Sequence, residues 1–147
     1  IDLLGVAFPD YEAYITESVS IELLRASQSG FSFPDRIFES IPVISLNPDE
    51  RVMLQGMPKN GSIHFGEAEG VIIAKNRNGI FLTNDSRVVR HCLDNYIKVL
   101  DLRDILLILS KQRALTREEM KDLIHDIEDM DNTIIKDKSS ILDSFYP

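Results

Sequence analysis

Gly66-Glu67-Ala68-Glu69-Gly70-Val71-Ile72-Ile73-Ala74-Lys75-Asn76-Arg77-Asn78-Gly79-Ile80-Phe81-Leu82-Thr83-Asn84-Asp85 is the stretch on which the reading of the fold turns. The apolar run Val71-Ile72-Ile73-Ala74, closed by Asn78-Gly79, predicts a buried helix that returns to a strand over 80–83. Carboxylates flank it: Glu67 and Glu69 at the helix start, Asp85 just past the strand. In open α/β sheets, ligands bind beyond the carboxyl ends of strands. Oxygen donors gathered there, with no nucleophile and no glycine-rich phosphate loop beside them, point to a hard divalent cation, magnesium or manganese.

Outward from this stretch the pattern alternates. A short strand near 13–15 leads through Thr16, a helix-capping residue, into a helix bearing Val19, Glu22, Leu23 and Leu24. Residues 28–40, rich in Ser, Phe, Pro and Gly, read as either a flap or a short helix, or as an ordinary surface connection. An apolar strand over 41–46 precedes Asn47-Pro48-Asp49-Glu50, which combines a capping side chain, proline at the first helical position and acids in the first turn. Gly56 closes that helix, and Pro58 to Gly61 read as a turn. Helices over 86–93 and 102–113 alternate with a strand over 97–100. Thr116-Arg117-Glu118-Glu119 is a capping box opening a helix to about Met130, followed by a short extended piece over 133–135 and a last helix over 139–145. Such alternation predicts an α/β fold: three layers, with a mostly parallel, doubly wound sheet flanked by helices.

With 147 residues, 44% apolar and 27% charged, the chain reads as a single domain over 1–147, with an acidic helical extension from about 116. From Thr116 onward nine acids face four bases, leaving −3 of the net −8 to the first 115 residues. An acidic balance argues against indiscriminate polyanion binding. Lys75, Arg77, Arg87, Arg90, Lys98, Lys111 and Arg113 are the candidates for a basic rim, with a solvated surface as the plain alternative. The strongest apolar run, Ile105 to Leu109, is too short for a membrane span and reads as a core helix or an oligomer contact. No signal-peptide pattern opens the chain, and the lone Cys92 fits a reducing compartment and a small core position, so the expectation is a cytoplasmic protein.

Together "YITESVSIELL", "GEAEGVIIA", "IFLTND" and "LLILSKQRALTREEMKDLI" resemble the PIN domain, and in particular the PIN-like toxins of bacterial and archaeal toxin-antitoxin pairs. The resemblance implies a metal-dependent ribonuclease. It maps the family's second acidic position onto Glu22, the third onto Glu69 or Glu67, and the fourth onto Asp85, with magnesium or manganese held among them. Thr83, Asn84 and Arg87 would contact the metal or the substrate phosphate. It further implies RNA as substrate, an antitoxin protein as partner and a homodimer. Glu67 and Glu69 are two residues apart, about 200° around a helix, so the two carboxylates cannot share one site; Glu69 is preferred as ligand. The family's first aspartate, at the end of a leading strand, has no counterpart: Asp2 is followed by leucine and no apolar strand precedes it. An omitted upstream segment is the preferred account, and a degenerate member acting as a protein-interaction module is the alternative. Taken singly, Glu22 paired with Arg25 and Asp85 capping the helix at Ser86 are plain structural readings; a nucleotide-binding domain lacks its glycine motifs here.

Overall fold

The structure, a computed structural model, describes residues 2–57, 63–131 and 133–145. Its contacts divide the chain into two compact units, one of Ala13–Val99 and one of Asp2–Glu12 with Leu100–Pro147. The even composition gives no sign of that division, because the second unit recruits the opening helix from far away in sequence.

In the first unit, β1 (Ile15–Thr16) runs parallel to β2 (Val43–Ile44), with Ile15 opposite Val43 and Thr16 opposite Ile44. Between them lie α2 (Glu17–Gln28), preceded in the chain by α1 (Asp2–Ala7) of the other unit, and α3 (Phe33–Ser40). α4 (Pro48–Gly56) then packs on α5 (Phe65–Asn76). A second two-stranded sheet joins β3 (Phe81–Leu82) to β4 (Val99–Leu100) across α6 (Ser86–Asp94). Two cores stand on α5. Val71 and Ala74 meet Val88, Cys92 and Ile97 on one side, while Ile72 and Ile73 meet Leu46 on the other. Cys92 is fully buried, and burial pushes its thiol pKa up, as befits a small core residue. The turn expected at Pro58 to Gly61 lies outside the described residues.

The doubly wound, sheet-dominated fold expected from the alternation is not what forms. Among the described residues helix takes 62% and strand 6%, in two sheets of two strands. Helix caps crowd the strands. Thr16 belongs to β1 and also caps α2, its hydroxyl accepting from the Val19 amide at 3.3 Å. Asp101 directly follows β4 and accepts from the Asp104 amide at 2.8 Å, opening α7 (Leu102–Lys111). Pro42 just before β2 offers no amide for a ladder. With helix starts pressed so close, β1 and β4 end after two residues, and among the described residues neither sheet grows past a pair.

Helix ends explain much of the remaining layout. Asn78 takes the left-handed conformation (φ 53°) and the Gly79 amide donates to the Ala74 carbonyl at 2.8 Å, the Schellman closure of α5. Tyr96 and Arg113 end α6 and α7 the same way, through Ile97 to Cys92 at 2.8 Å and Ala114 to Leu109 at 3.0 Å.

Gly70 is where α5 meets β3. A Cβ there would stand 2.4 Å from Cε2 of Phe81. Gly70→Ala is therefore expected to destabilise by up to about 2 kcal/mol: overpacking costs about 1–3, offset by roughly 1 from better helix propensity. Urea unfolding of Gly70→Ala and of Gly70→Ala/Phe81→Leu checks this. The second variant should recover most of the loss, and a Gly70→Ala protein as stable as its parent would show that the ring simply swings aside.

The second unit is helical. α1 and α7 pack with α8 (Arg117–Asp131) and α9 (Lys138–Asp143) around Ala7, Leu106, Leu109, Met120, Ile124, Ile135 and Ile141. The apolar run at 105–109 thus supplies core. The Ser110 hydroxyl, fully buried, donates to the Ile141 carbonyl at 2.8 Å, and the Gln112 amide side chain reaches the Ala7 carbonyl at 3.0 Å. No helix among the described residues is long and apolar enough to cross a membrane.

Candidate metal and phosphate site at the start of α5

Glu67 and Glu69 stand in the first turns of α5, and Glu22 comes to them from α2. Gly66 lets α2 come close: a Cβ on it would lie 3.3 Å from the Ser18 Cβ and 3.8 Å from Oε1 of Glu22. Three residues on, and so on the same face, Glu69 is 2% exposed and its Oε2 accepts from the Ser18 amide at 3.0 Å. Glu69 thereby satisfies one of the open amides at the start of α2, where the helix dipole also favours a negative charge. Glu22 and Ser18, four apart, share one face of α2, so Glu22 and Glu69 both border the Ser18–Gly66 contact. Glu22 is exposed and makes no ion pair with Arg25 among the described residues.

Glu67 turns elsewhere, as the 200° rotation requires. Its Oε2 accepts from the His64 amide at 3.0 Å at the start of α5, and its charge acts on Arg87. Arg87 is held by Asp85: Nη2 donates to Oδ2 at 2.6 Å and Nε to Oδ1 at 3.2 Å. Asp85 also caps α6, accepting from the Arg87 amide at 2.8 Å. The Arg87 guanidinium first, then the amide, hold the Asp85 carboxyl far below the usual carboxylate range, while Asp85 raises Arg87. Asp85 is therefore an anion at any pH near neutral. The Thr83 hydroxyl accepts from the Asp85 amide at 3.1 Å, fixing the turn after β3, and Asn84 is exposed beside it.

Glu22 and Glu69 border one contact, while Glu67 is bonded to the His64 amide and Asp85 to Arg87. Among the described residues no three His, Cys, Asp or Glu side chains come together to hold an ion. A closed protein cage does not fit this site. A hydrated magnesium or manganese ion does, because such ions keep most of their waters and take one or two carboxylates together with substrate phosphate oxygens. A cavity of about 300 Å³ opens beside Glu69, lined also by Glu17, Ser18, Arg51 and Phe65.

Some participants were not visible in sequence. Arg77, counted among rim candidates, is tied to Glu50, whose Oε2 lies 2.7 Å from Nη2. The start signal at Asn47 marked Glu50 as a first-turn acid, but nothing local pointed to its distant partner. Ser18 and Gly66 likewise carry no signal beyond their small size. No family model, no curated protein and no solved structure matches this chain, so the reading of the site rests on these residues.

Proposed function

We propose that this chain is a divalent-metal-dependent ribonuclease of the PIN type, with Glu22 and Glu69 as the carboxylates that hold magnesium or manganese. The observation that carries the reading is that Glu22 of α2, far from α5 in sequence, comes to the Ser18–Gly66 contact that Glu69 also borders. Glu69 is fixed by the Ser18 amide, and Glu22 is exposed and free to reach outward. Asp85 is held ionised by Arg87, and the exposed Arg87 guanidinium and the Thr83 hydroxyl are the donors this reading assigns to a phosphate. A divalent ion bound there supplies phosphate neutralisation and a water made nucleophilic near neutral pH. A toxin role, with an antitoxin partner and a homodimer in the cytoplasm, belongs to the same reading.

A second reading is an interaction module without catalysis. Ile21 and Leu24, one turn apart on α2, are 49% and 50% exposed, an apolar pair of the kind a partner helix covers. Incubating the purified chain with a mixed panel of labelled RNAs, in manganese and in EDTA, separates the two. Cleavage in manganese alone is expected. No cleavage, together with manganese affinity weaker than about millimolar, would overturn the nuclease in favour of the module.

A further inference from the structure

Beyond α2 the chain turns through Ser29-Gly30-Phe31-Ser32-Phe33. Gly30 lies at φ 93°, a conformation that side chains oppose. Around it the Gly30 amide donates to the Ser27 carbonyl at 2.9 Å and the Phe31 amide to the Ala26 carbonyl at 3.2 Å, a Schellman closure that leaves little freedom. On the far side Pro34 is buried and anchors α3. Between these fixed points stand two rings, Phe31 at 58% and Phe33 at 44% exposure, with centroids 5.9 Å apart and planes at 59°. In this motif the residue at the Phe31 position commonly folds against the last helical turn. Here the facing residue is Ala26, whose methyl covers little of a ring.

The charges nearby narrow what the rings take. Arg25, in the last turn of α2, and Arg36, in α3, are exposed and have no ion-pair partner among the described residues. Asp35 is engaged by the Ser27 hydroxyl at 3.3 Å, and Glu39 is exposed. Without ion-pair partners among the described residues, these two guanidinia are open to the phosphates of an anionic occupant, with the carboxylate of Asp35 held by Ser27. Two exposed aromatic faces favour a planar one. A nucleotide strand is both.

We infer that Phe31 and Phe33 form a stacking platform for the unpaired bases of single-stranded RNA, with Arg25 and Arg36 contacting its phosphates. Base faces are hidden inside a duplex, so the platform selects unstructured strands; stacking tolerates any base, so it selects little sequence. The inference rests on the ribonuclease reading only for the choice of RNA as ligand, and it names the substrate class of that activity.

The test is fluorescence anisotropy of a labelled single-stranded oligouridylate with the full chain in EDTA, where metal-dependent cleavage is shut off. Saturable binding is expected, weakened about tenfold or more by Phe31→Ala and by Phe33→Ala and retained by Phe33→Tyr. Two phosphate contacts give a slope of log affinity on log salt near about −1.4. A hairpin duplex of matched length should not compete. Circular dichroism of the variants should match the parent, since both rings are surface groups. Binding that ignores both alanine variants, equal competition by the duplex, or no binding at all would overturn the platform. Aromatic-dependent binding without cleavage in manganese would support the platform and sink only the nuclease reading. Cleavage with aromatic-independent binding would do the reverse.

Discussion

Arg77→Ala is expected to destabilise the unit of Ala13–Val99 by about 3 kcal/mol, because it leaves a buried carboxylate without its cation. Glu50 is fully buried. Its Oε1 accepts from Arg77 Nε at 2.9 Å, its Oε2 from Nη2 at 2.7 Å, and its Oε2 also from the Asn47 amide at 2.8 Å. The same Nη2 reaches the Ser45 carbonyl at 2.8 Å, so one guanidinium at the end of α5 clamps the start of α4 and the segment after β2. Arg77 is itself 36% exposed, so water can replace part of what it gives, which places the loss at the lower end of the range for broken buried pairs. For a unit of this size the melting temperature should fall by roughly 12–24 °C. Glu50→Gln should lose less, since glutamine still accepts from Asn47 and keeps the capping geometry.

The pH dependence adds a second readout. Hydrogen bonding from Arg77 outweighs burial and lowers the Glu50 pKa. A carboxyl whose folded pKa is depressed contributes stability above its unfolded value, about 4.3, and that contribution is lost as the pH falls toward the folded value. Without Arg77, burial dominates and pushes the carboxyl up, so the sign inverts for the variant. The gap between parent and Arg77→Ala should narrow between pH 7 and pH 4 in urea unfolding. A variant within about 1 kcal/mol of the parent at pH 7, or a gap that widens in acid, would mean that the clamp contributes little.

Local chemistry was legible and distant pairing was not. Asn47-Pro48-Asp49-Glu50, Thr116 with Glu119, and Asn78-Gly79 each marked a helix end that exists, because caps are satisfied within a few residues of themselves. Residues 28–40 hold a helix over Phe33–Ser40 that mixed composition left open. The strands failed as evidence of a broad sheet. An apolar run such as 41–46 is compatible with a ladder, but the length of a ladder depends on partners elsewhere and on where neighbouring helices start. The recruitment of α1 beside α7 is equally nonlocal: the Gln112 side chain meets the Ala7 carbonyl across most of the chain. At the candidate site, helix periodicity alone required Glu67 and Glu69 to diverge. That Glu69 faces Ser18 depends on where α2 lies, which periodicity does not contain.

That divergence makes the site testable residue by residue. Glu22→Gln and Glu69→Gln are each expected to reduce manganese-dependent RNA cleavage by at least about a hundredfold, the scale of losing a carboxylate that holds or orients a catalytic ion. Both changes keep the shape of the side chain. At position 69 glutamine can still accept from the Ser18 amide, so the start of α2 stays satisfied; at position 22 the side chain is exposed and stability should barely move. Asp85→Asn keeps a good helix cap, since asparagine caps as well as aspartate, while breaking the ion pair with Arg87. Glu67→Gln is the contrasting variant. Its partner is the His64 amide, which glutamine also serves, so cleavage should stay within about threefold of the parent. Loss at position 67 with activity retained at 69 would move the ion to the Asp85 side of α5. Equal losses at both would break the argument from helix geometry, because side chains on opposite faces of one helix would then be acting on one ion.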